Sequence, residues 1–315
     1  MNTLIQSDFF TNIDVKIQFD APIGNMTYFD LGGSADVLAL PQSIDALSRI
    51  VKKCYNAGIP LRILGKGANL LVDDDGVEGV VIKLSHDCFK ACSVDAKNAA
   101  HNLHCMAGAD LSQTIMQSAR EGLQGLEGLS GIPASIGGGI QMNAGGKFGS
   151  IVDSLTSITC LSENGELISH SSDEFCFEYR QSNITEPIIF SSTFTLTPDD
   201  PIVIRDAIKE IFAWKKSMQP LADTSAGCAF KNPINKINER VSAGKLIDES
   251  GLKGFSIGGA MVSHQHANFI TTNSTAKAQD VIAIMHEVKK RVFDNTGIHL
   301  QQEVVVWSRN SETDQ

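Results

Sequence analysis

The stretch GIPASIGGGIQMNAGG, residues 131–146, lies at the centre of the glycine-richest part of the chain, which runs from Gly122 to Gly149. A glycine in a helix interior costs about 1 kcal/mol relative to alanine, so this density predicts a loop rather than a stable helix. Successive backbone N–H groups in such loops form concavities that bind anions, and a pyrophosphate suits them. A set of tight turns in a β-rich domain is the alternative.

Two more short motifs have the same character. GKGAN, residues 65–69, lies between two apolar runs and is predicted to connect two strands; it matches neither the Rossmann fingerprint nor the P-loop pattern. An ordinary tight turn is the alternative. SAGCAFKNP, residues 225–233, places Cys228 among small residues, where it is either a reactive thiol or a small buried hydrophobe.

Around these motifs the pattern mixes helices with strands. Ser43 is predicted to cap a helix that Gly58 ends, and Gly297 is predicted to end a long helix around residues 281–292. The polar residues 93–104 suit an exposed strand. Further strands are predicted at 155–161, 167–169, 188–196 and 303–307, and a helix is predicted after the prolines at 198 and 201.

Composition limits the class of protein. The 315 residues, 42% hydrophobic and 20% charged, allow two or three domains with a sizeable core. A formal charge of −10 without a Lys/Arg-rich stripe argues against nucleic acid as a partner. No apolar run approaches the ~20 residues that cross a bilayer, and the start MNTLIQSDFF lacks the order of a signal peptide, so we expect a cytoplasmic protein without a membrane partner.

The seven cysteines contain no C-x-x-C pair, which indicates neither a disulfide framework nor a metal site. We expect most of them to be small buried hydrophobes.

In this order, the motifs resemble the UDP-N-acetylenolpyruvoylglucosamine reductase (MurB) family of flavoenzymes over roughly residues 22–307. The short stretch from Arg180 to Phe190 resembles the family form that lacks an inserted tyrosine loop. The resemblance rests on Asn25-Met26-Thr27 with Gly32–Ala35, Ile63–Leu71, Gly131–Pro133 through Asn143–Gly145, Tyr179–Ser182, the cysteine motif and Glu303.

The resemblance implies an α+β fold, with a two-part FAD-binding domain of the vanillyl-alcohol oxidase (PCMH-like) type and a C-terminal α+β substrate-binding domain. Its parts would be residues 1–85, 86–200 and 201–315. FAD would be bound without a covalent link. The resemblance assigns FAD binding to Gly65, Lys66, Gly67, Ala68, Asn69, Leu70, Gly131, Ile132, Pro133, Ser135, Gly137, Gly138, Asn143 and Gly145.

The implied activity is that of a UDP-N-acetylmuramate dehydrogenase, in which NADPH reduces FAD and enolpyruvyl-UDP-GlcNAc is then reduced to UDP-N-acetylmuramate. Arg180 would bind the substrate carboxylate in a bidentate fork. Glu303 would have to be protonated, or share a proton with the substrate carboxylate, to assist, because a bare carboxylate repels the developing charge. Cys228 stands where the family usually has a serine, and its thiol would deliver the final proton.

Substrate binding is assigned to Tyr179, Lys216, Lys231 and Asn232, and a monomer is expected. His266 is interpreted as a structural histidine.

The sequence leaves two alternative functions open. An oxidase of the same flavin fold would commonly tether FAD through a histidine in the first flavin-binding segment, but the first histidine here is His86, beyond the GKGAN loop. A non-catalytic binding protein is disfavoured because Arg180, Glu303 and a protic side chain at position 228 are all present.

Overall fold

The computed structural model describes residues 5–95, 101–235 and 237–309. Within them, the helices are α1 Ile44–Asn56, α2 Leu111–Arg120, α3 Ile136–Gln141, α4 Pro201–Met218, α5 Ala243–Glu249 and α6 Ala278–Thr296. Short 3₁₀ turns lie at Ser7–Phe10, Ile23–Met26, Asp87–Phe89, Glu127–Leu129, Ile151–Ser154 and Ser172–Glu174.

The strands of the same residues, in chain order, are β1 Val15–Ala21, β2 Ala35–Pro41, β3 Leu61–Ile63, β4 Leu70–Val72, β5 Val77–Ile82, β6 Cys92–Asp95, β7 Asn102–Met106, β8 Leu123–Gln124, β9 Gly145–Gly146, β10 Gly149–Ser150, β11 Leu155–Leu161, β12 Leu167–Ser171, β13 Phe177–Glu178, β14 Gln181–Ser182, β15 Ile188–Thr195, β16 Thr197–Pro198, β17 Ser256–Ile257, β18 Ala260–Val262, β19 Ile270–Thr272 and β20 Val305–Trp307.

The chain forms two compact units, each made of several stretches. The first unit contains residues 1–20, 36–66 and 79–215, and the second contains residues 21–35, 67–78 and 216–315. Because the second unit takes in two short segments from the N-terminal part, its residues cannot be recognised as one continuous block of sequence.

The first unit is organised on two sheets. One has the strand order β1-β2-β5-β3, with β3 parallel to β5, and the other has the order β12-β11-β15-β7-β6 with antiparallel neighbours. Helix α1 begins as predicted, because the Ser43 hydroxyl accepts a hydrogen bond from the Ala46 N–H at 3.1 Å. Its apolar face, with Leu47, Ile50 and Val51, is fully buried in the core.

The glycine-rich segment does form a short helix, α3, so the prediction of a loop throughout was wrong there. Ser135 caps this helix by accepting a hydrogen bond from the Gly138 N–H at 3.3 Å. A Cβ on Gly137 would lie 2.8 Å from the Cβ of Ala107, closer than side chains approach. Close packing on Ala107 therefore requires a glycine in this helix and outweighs its low helix propensity.

The second unit contains the three-stranded sheet β17-β18-β19, the parallel pair β20-β4 and the helices α5 and α6. Helix α6 buries Val281, Ile284, Val288 and Val292 in the core of this unit. It ends at Gly297, whose φ of 69° is the left-handed conformation expected of a glycine C-cap, and the predicted end is confirmed.

Three expectations from the sequence need adjustment or completion. The predicted strand over 93–104 is two strands, β6 and β7, and residues 96–100 lie outside the described residues. Only Cys54, Cys105 and Cys160 are buried, so the expectation that most of the seven cysteines are buried was wrong. Over the described ranges, no helix is both long and apolar enough to span a membrane, and no cluster of three metal-ligating side chains is found.

Candidate functional site

In the first unit, the GKGAN loop and the glycine-rich segment lie against each other. A Cβ on Gly65 would be 2.8 Å from the Ser135 hydroxyl, so only glycine allows this approach. Lys66 forms an ion pair with Asp110, which bridges to Ser135 through the backbone. The structure thus brings together Gly65, Lys66 and Ser135, three of the residues predicted to bind the cofactor.

The charge of Lys66 is already matched. Burial alone would raise the pKa of Asp110, but the hydrogen bond from Lys66 and the backbone N–H of Gln113 lower it overall. Asp110 therefore stays ionised beside Lys66. A diphosphate at this loop would depend on neutral donors more than on the net charge of Lys66.

Two backbone N–H groups of the GKGAN loop are able to donate hydrogen bonds to a bound diphosphate. Within the described part of the chain, the N–H groups of Gly65 and Lys66 make no backbone hydrogen bond. By contrast, the N–H groups of Ile132, Gly137 and Gly138 are bonded to Leu129, Ala107 and Ser135 respectively. Gly65 and Lys66 can donate to a ligand, whereas those three groups maintain the local fold. Gly131 and Pro133 lie half-buried in the same segment.

Arg180 lies at the tip of the hairpin formed by β13 and β14. Its backbone has a φ of 60°, a left-handed conformation that is uncommon outside glycine. The side chain is fixed by a 2.6 Å hydrogen bond from its Nη2 to the Gly145 carbonyl and by contact with the Tyr179 ring, 5.2 Å from the guanidinium carbon to the ring centre. The hairpin therefore brings Arg180, Tyr179 and Gly145 together.

Asn143 connects this hairpin to the glycine-rich segment. Its side-chain amide donates to the Glu178 carbonyl at 2.8 Å, and its backbone has a φ of 41°. The residue is buried, and among the described residues its Oδ1 has no hydrogen-bond partner. A buried amide oxygen without a partner is costly, which suits a position that accepts a hydrogen bond from a ligand.

Lys215, at the end of helix α4, is buried next to the same segment. Its amine donates to the Ser130 carbonyl at 2.5 Å. A Cβ built on Gly131 would lie 3.3 Å from the Cδ of Lys215, so the lysine side chain packs against this glycine. Burial, together with the positive charge of Arg180, lowers the pKa of Lys215 to about 8. Sequence analysis assigned substrate binding to Lys216 rather than to Lys215, since the lysine pair at 215–216 gives no sign of which residue faces inward.

In the second unit, Cys228 and Glu303 lie on neighbouring segments. The Glu303 N–H donates to the carbonyl of Ala229, the residue after Cys228, at 2.8 Å. Cys228 itself forms an isolated bridge with Phe269. Both side chains are half-buried. The structure therefore places two of the three predicted catalytic residues on adjacent segments.

Asn268 fixes the cysteine motif on its other side. Its Oδ1 accepts from the Phe230 N–H at 3.0 Å, its Nδ2 donates to the Phe230 carbonyl at 2.8 Å, and its own carbonyl accepts from the Ala229 N–H at 2.7 Å. Sequence analysis missed this role. Its signal was the amide side chain in QHAN, residues 265–268, two residues after the histidine that attracted notice.

The part of the GKGAN loop that belongs to the second unit contacts Glu303. The Asn69 side-chain amide donates to the Glu303 carbonyl at 2.9 Å, and the Asn69 carbonyl accepts from Val305. Gly67 accepts a hydrogen bond from the Tyr28 N–H, while Ala68 is half-buried and Leu70 is paired in β4. Asn69 therefore holds the segment that contains Glu303 in position through these hydrogen bonds.

The predicted substrate residues of the second unit differ in exposure. Lys216 is exposed, whereas Lys231 and Asn232 are half-buried. The Asn232 side chain accepts from the Ala243 N–H at 2.9 Å, at the start of helix α5. Ser225 is buried and, in the described ranges, its hydroxyl has no partner, so it is available to a ligand next to Cys228.

His266 has a structural environment. Its Nδ1 accepts from the Asn268 N–H at 3.2 Å, and its ring contacts Phe269 edge to face at 4.9 Å. Burial, and to a smaller extent the charge of Lys253, lower its pKa. These contacts support the structural interpretation.

Comparisons with known proteins agree with this arrangement. A family model for an FAD-binding domain matches residues 35–171, and a model for the C-terminal domain of UDP-N-acetylenolpyruvoylglucosamine reductase matches residues 219–307. The reductase of Syntrophus aciditrophicus is 38% identical over 96% of this chain and 98% of its own length. That of Listeria welshimeri is 38% identical over 93% of this chain and 95% of its own length.

The chain belongs to the UDP-N-acetylenolpyruvoylglucosamine reductase family. The crystal structure of the family member from Thermus caldophilus is 34% identical to this chain, with a TM-score of 0.76 over 93% of this chain and 99% of that one. The predicted fold class, an α+β protein with an FAD-binding domain followed by the reductase family's C-terminal domain, is confirmed. FAD as the cofactor is confirmed by the same domain match.

Proposed function

We propose that this member of the reductase family catalyses the NADPH-dependent, FAD-mediated reduction of enolpyruvyl-UDP-GlcNAc to UDP-N-acetylmuramate, the activity of a UDP-N-acetylmuramate dehydrogenase in peptidoglycan synthesis. The observation that carries the proposal is the pairing of Cys228 with Glu303 through Ala229, inside the matched C-terminal domain. A protic side chain and a carboxyl group on adjacent segments can together protonate a developing carbanion.

The residues of the first unit fit FAD. The N–H groups of Gly65 and Lys66 and the Ser135 hydroxyl would hold its diphosphate, and the unpartnered Oδ1 of Asn143 would accept a hydrogen bond from the bound cofactor. FAD bound there would supply the hydride-transfer chemistry, between NADPH and the vinyl carbon C3 of the substrate. The remaining chemistry belongs to side chains of the protein.

Arg180 binds the substrate carboxylate. Its planar guanidinium matches a carboxylate in a bidentate fork and stabilises the charge that develops as C3 is reduced. The hydrogen bond to Gly145 and the contact with Tyr179 hold the group in one orientation before the substrate arrives. Preorganisation of this kind lowers the cost of orienting the charge during the reaction.

Glu303 and Cys228 handle the protons. Glu303 would carry a proton, or share one with the bound substrate carboxylate, because two bare carboxylates would repel each other. Cys228 transfers its thiol proton to C2, completing the addition of a hydride and a proton across the double bond. An unperturbed thiol has a pKa of about 8.5, so this donor is lost at alkaline pH as the thiolate forms.

The finer assignments follow the same proposal. Tyr179, Lys216, Lys231 and Asn232 bind the substrate, NADPH is the reductant, and the protein acts as a cytoplasmic monomer. Residues 1–85 and 86–200 form the two FAD-binding parts, and 201–315 form the substrate-binding part. The domain matches at 35–171 and 219–307 support the separation of an FAD-binding part from a C-terminal part.

The decisive experiment measures NADPH oxidation by the purified FAD-loaded protein with and without enolpyruvyl-UDP-GlcNAc. We expect oxidation to depend on the enolpyruvyl substrate, with one UDP-N-acetylmuramate formed for each NADPH consumed. Oxidation that ignores this substrate and produces peroxide instead would replace the proposal with an oxidase.

A matched pair of variants tests the proton donor. We expect Cys228→Ala to retain flavin reduction by NADPH but to lose the reduction of the substrate. Cys176→Ala, which changes an exposed cysteine, should leave both half-reactions unchanged. If Cys228→Ala reduced the substrate at nearly the wild-type rate, Cys228 would not be the donor.

A further inference from the structure

Cys92 and Cys105 are directly opposite each other on the antiparallel strands β6 and β7. The Met106 N–H donates to the Ala91 carbonyl at 2.9 Å, which makes the pair 91/106 a hydrogen-bonded one. Because such pairs alternate along an antiparallel ladder, Cys92 and Cys105 form a non-hydrogen-bonded pair.

This register suits a covalent link. Non-hydrogen-bonded antiparallel pairs have Cα atoms about 4.5 Å apart, and their side chains approach each other closely. Disulfides span Cα distances of about 4.4–6.8 Å. A disulfide between them needs no rearrangement of the two strands.

The two sulfurs differ in their surroundings. Cys105 is fully buried in the core of the first unit, whereas Cys92 is half-buried, with its sulfur 3.4 Å from the Thr114 hydroxyl of helix α2. The hydrogen bond to Cys105 lowers the pKa of Cys92 to about 7, and the same bond, followed by burial, raises the pKa of Cys105. Cys92 is also the more accessible of the two residues, so we assign it as the nucleophile and Cys105 as its partner.

We propose that Cys92 and Cys105 form an oxidation site that a small hydroperoxide converts into a reversible cross-strand disulfide. The pair is separate from the residues assigned to the reductase reaction, so the proposal does not depend on that activity. A small oxidant suits the site because only one of the two sulfurs is partly accessible.

The reaction proceeds in two balanced steps. With hydrogen peroxide, the simplest such oxidant, the Cys92 thiolate attacks one oxygen, forming an S–O bond and breaking the O–O bond. The sulfur loses two electrons, and the released hydroxide takes up a proton to become water. The Cys105 sulfur then displaces the sulfenic hydroxyl, which leaves as a second water with the Cys105 thiol proton. A dithiol reductant reverses the product by thiol–disulfide exchange.

The test treats the native chain with hydrogen peroxide, blocks the remaining thiols and maps the peptides without reduction. We expect a cross-linked pair of peptides containing Cys92 and Cys105, a loss of two hydrogens from the chain mass and full reversal by dithiothreitol. Sulfinic acid at Cys92 without a link, or a disulfide that joins either residue to Cys176, would overturn the proposal.

Controls separate the register from simple reactivity. Cys92→Ala should abolish the link, whereas Cys88→Ala, which changes another half-buried cysteine, should leave it intact. Oxidation of the wild-type chain unfolded in urea is a second control, which does not depend on whether a variant folds. In the unfolded chain we expect the preference for the 92–105 pair to disappear. An equal preference in the unfolded chain would show that the strand register is not its cause.

Discussion

Arg180 and Cys228 are held in position by opposite means. Arg180 occupies a left-handed backbone conformation at the tip of a two-residue hairpin connection, and its charge lies near that of the buried Lys215. Cys228 continues into a segment whose next residues, Ala229 and Phe230, have their backbone groups bonded to Asn268 and Glu303. The first arrangement costs free energy, whereas the second contributes to stability.

This difference indicates where the molecule can be changed. Strained conformations cost about 1–3 kcal/mol and persist only when their surroundings fix them. A satisfied hydrogen-bond network carries no such cost, and breaking it leaves buried groups unpaired. Substitutions around Arg180 should therefore affect activity or relieve a cost, whereas substitutions around Cys228 should mainly reduce stability.

The largest effect is expected for Arg180→Lys. Lysine keeps the positive charge but lacks the planar fork, so we expect the rate of substrate reduction by the pre-reduced enzyme to fall by about 10²–10³-fold. Stopped-flow absorbance of the flavin measures this rate. Arg205→Lys, at an exposed position on α4, is the matched control and should retain the wild-type rate. A fall of less than tenfold for Arg180→Lys would show that charge alone suffices.

Lys215→Met tests the electrostatic cost. Because the pKa of Lys215 is about 8 in the folded chain and near 10.5 when unfolded, the unfolded state binds more protons between these values. The unfolding free energy of the wild type should therefore rise with pH across this window, by about 2.5 kcal/mol relative to the variant between pH 7.5 and pH 10. Urea unfolding at pH 7.5 and pH 10 measures the difference.

The neighbouring exposed lysine supplies the control for that measurement. Lys216→Met should show no such pH-dependent difference from the wild type, since Lys216 is exposed. If Lys215→Met behaved in the same way, the amine of Lys215 would not be buried as a cation near Arg180.

Asn268→Ala tests the network around Cys228. It removes two hydrogen bonds to the buried Phe230 and leaves that residue's N–H and carbonyl unpaired, so we expect a loss of about 2 kcal/mol in unfolding free energy. Urea unfolding at neutral pH is the measurement. Asn56→Ala, at the exposed end of α1, should change stability by less than about 0.5 kcal/mol. Equal effects at the two positions would contradict the comparison.

Cys228→Ser should have the smallest effect. The exchange keeps a protic side chain of similar size, so we expect the rate of substrate reduction at pH 7 to change by less than about tenfold. The alkaline fall in that rate should disappear, because a serine hydroxyl does not ionise there. A pH profile of the pre-reduced enzyme from 7 to 10 checks this; an unchanged alkaline limb would assign it to another group.

Features that depend on residues close together in the sequence were predicted well. The cap at Ser43 and the end of α6 at Gly297 depend on residues within one turn of each helix end, and both predictions are confirmed. The order of the motifs identified the family and its cofactor for a similar reason, since each motif is a continuous stretch. The loop between β3 and β4 was also predicted correctly.

Features that depend on distant residues were missed. Helix α3 contains Gly137 because Ala107 leaves no room for a Cβ there, and nothing near residues 136–141 reveals that partner. Lys215 rather than Lys216 faces inward because its amine bonds to the carbonyl of Ser130, which is far away in sequence. Likewise, Asn268 acquires its role only when Phe230 lies beside it. Tertiary packing decides such positions, and one sequence alone does not record it.

The parallel pairing of β20 with β4 has a consequence for biosynthesis. Residues 70–72 leave the ribosome long before residues 305–307 have been translated, yet they are hydrogen-bonding partners in the second unit. Domains generally fold in order from the N-terminus as the chain emerges. The residues of the first unit end at Lys215 and can assemble while translation continues, whereas the second unit acquires its parallel pair only when the last strand has been made.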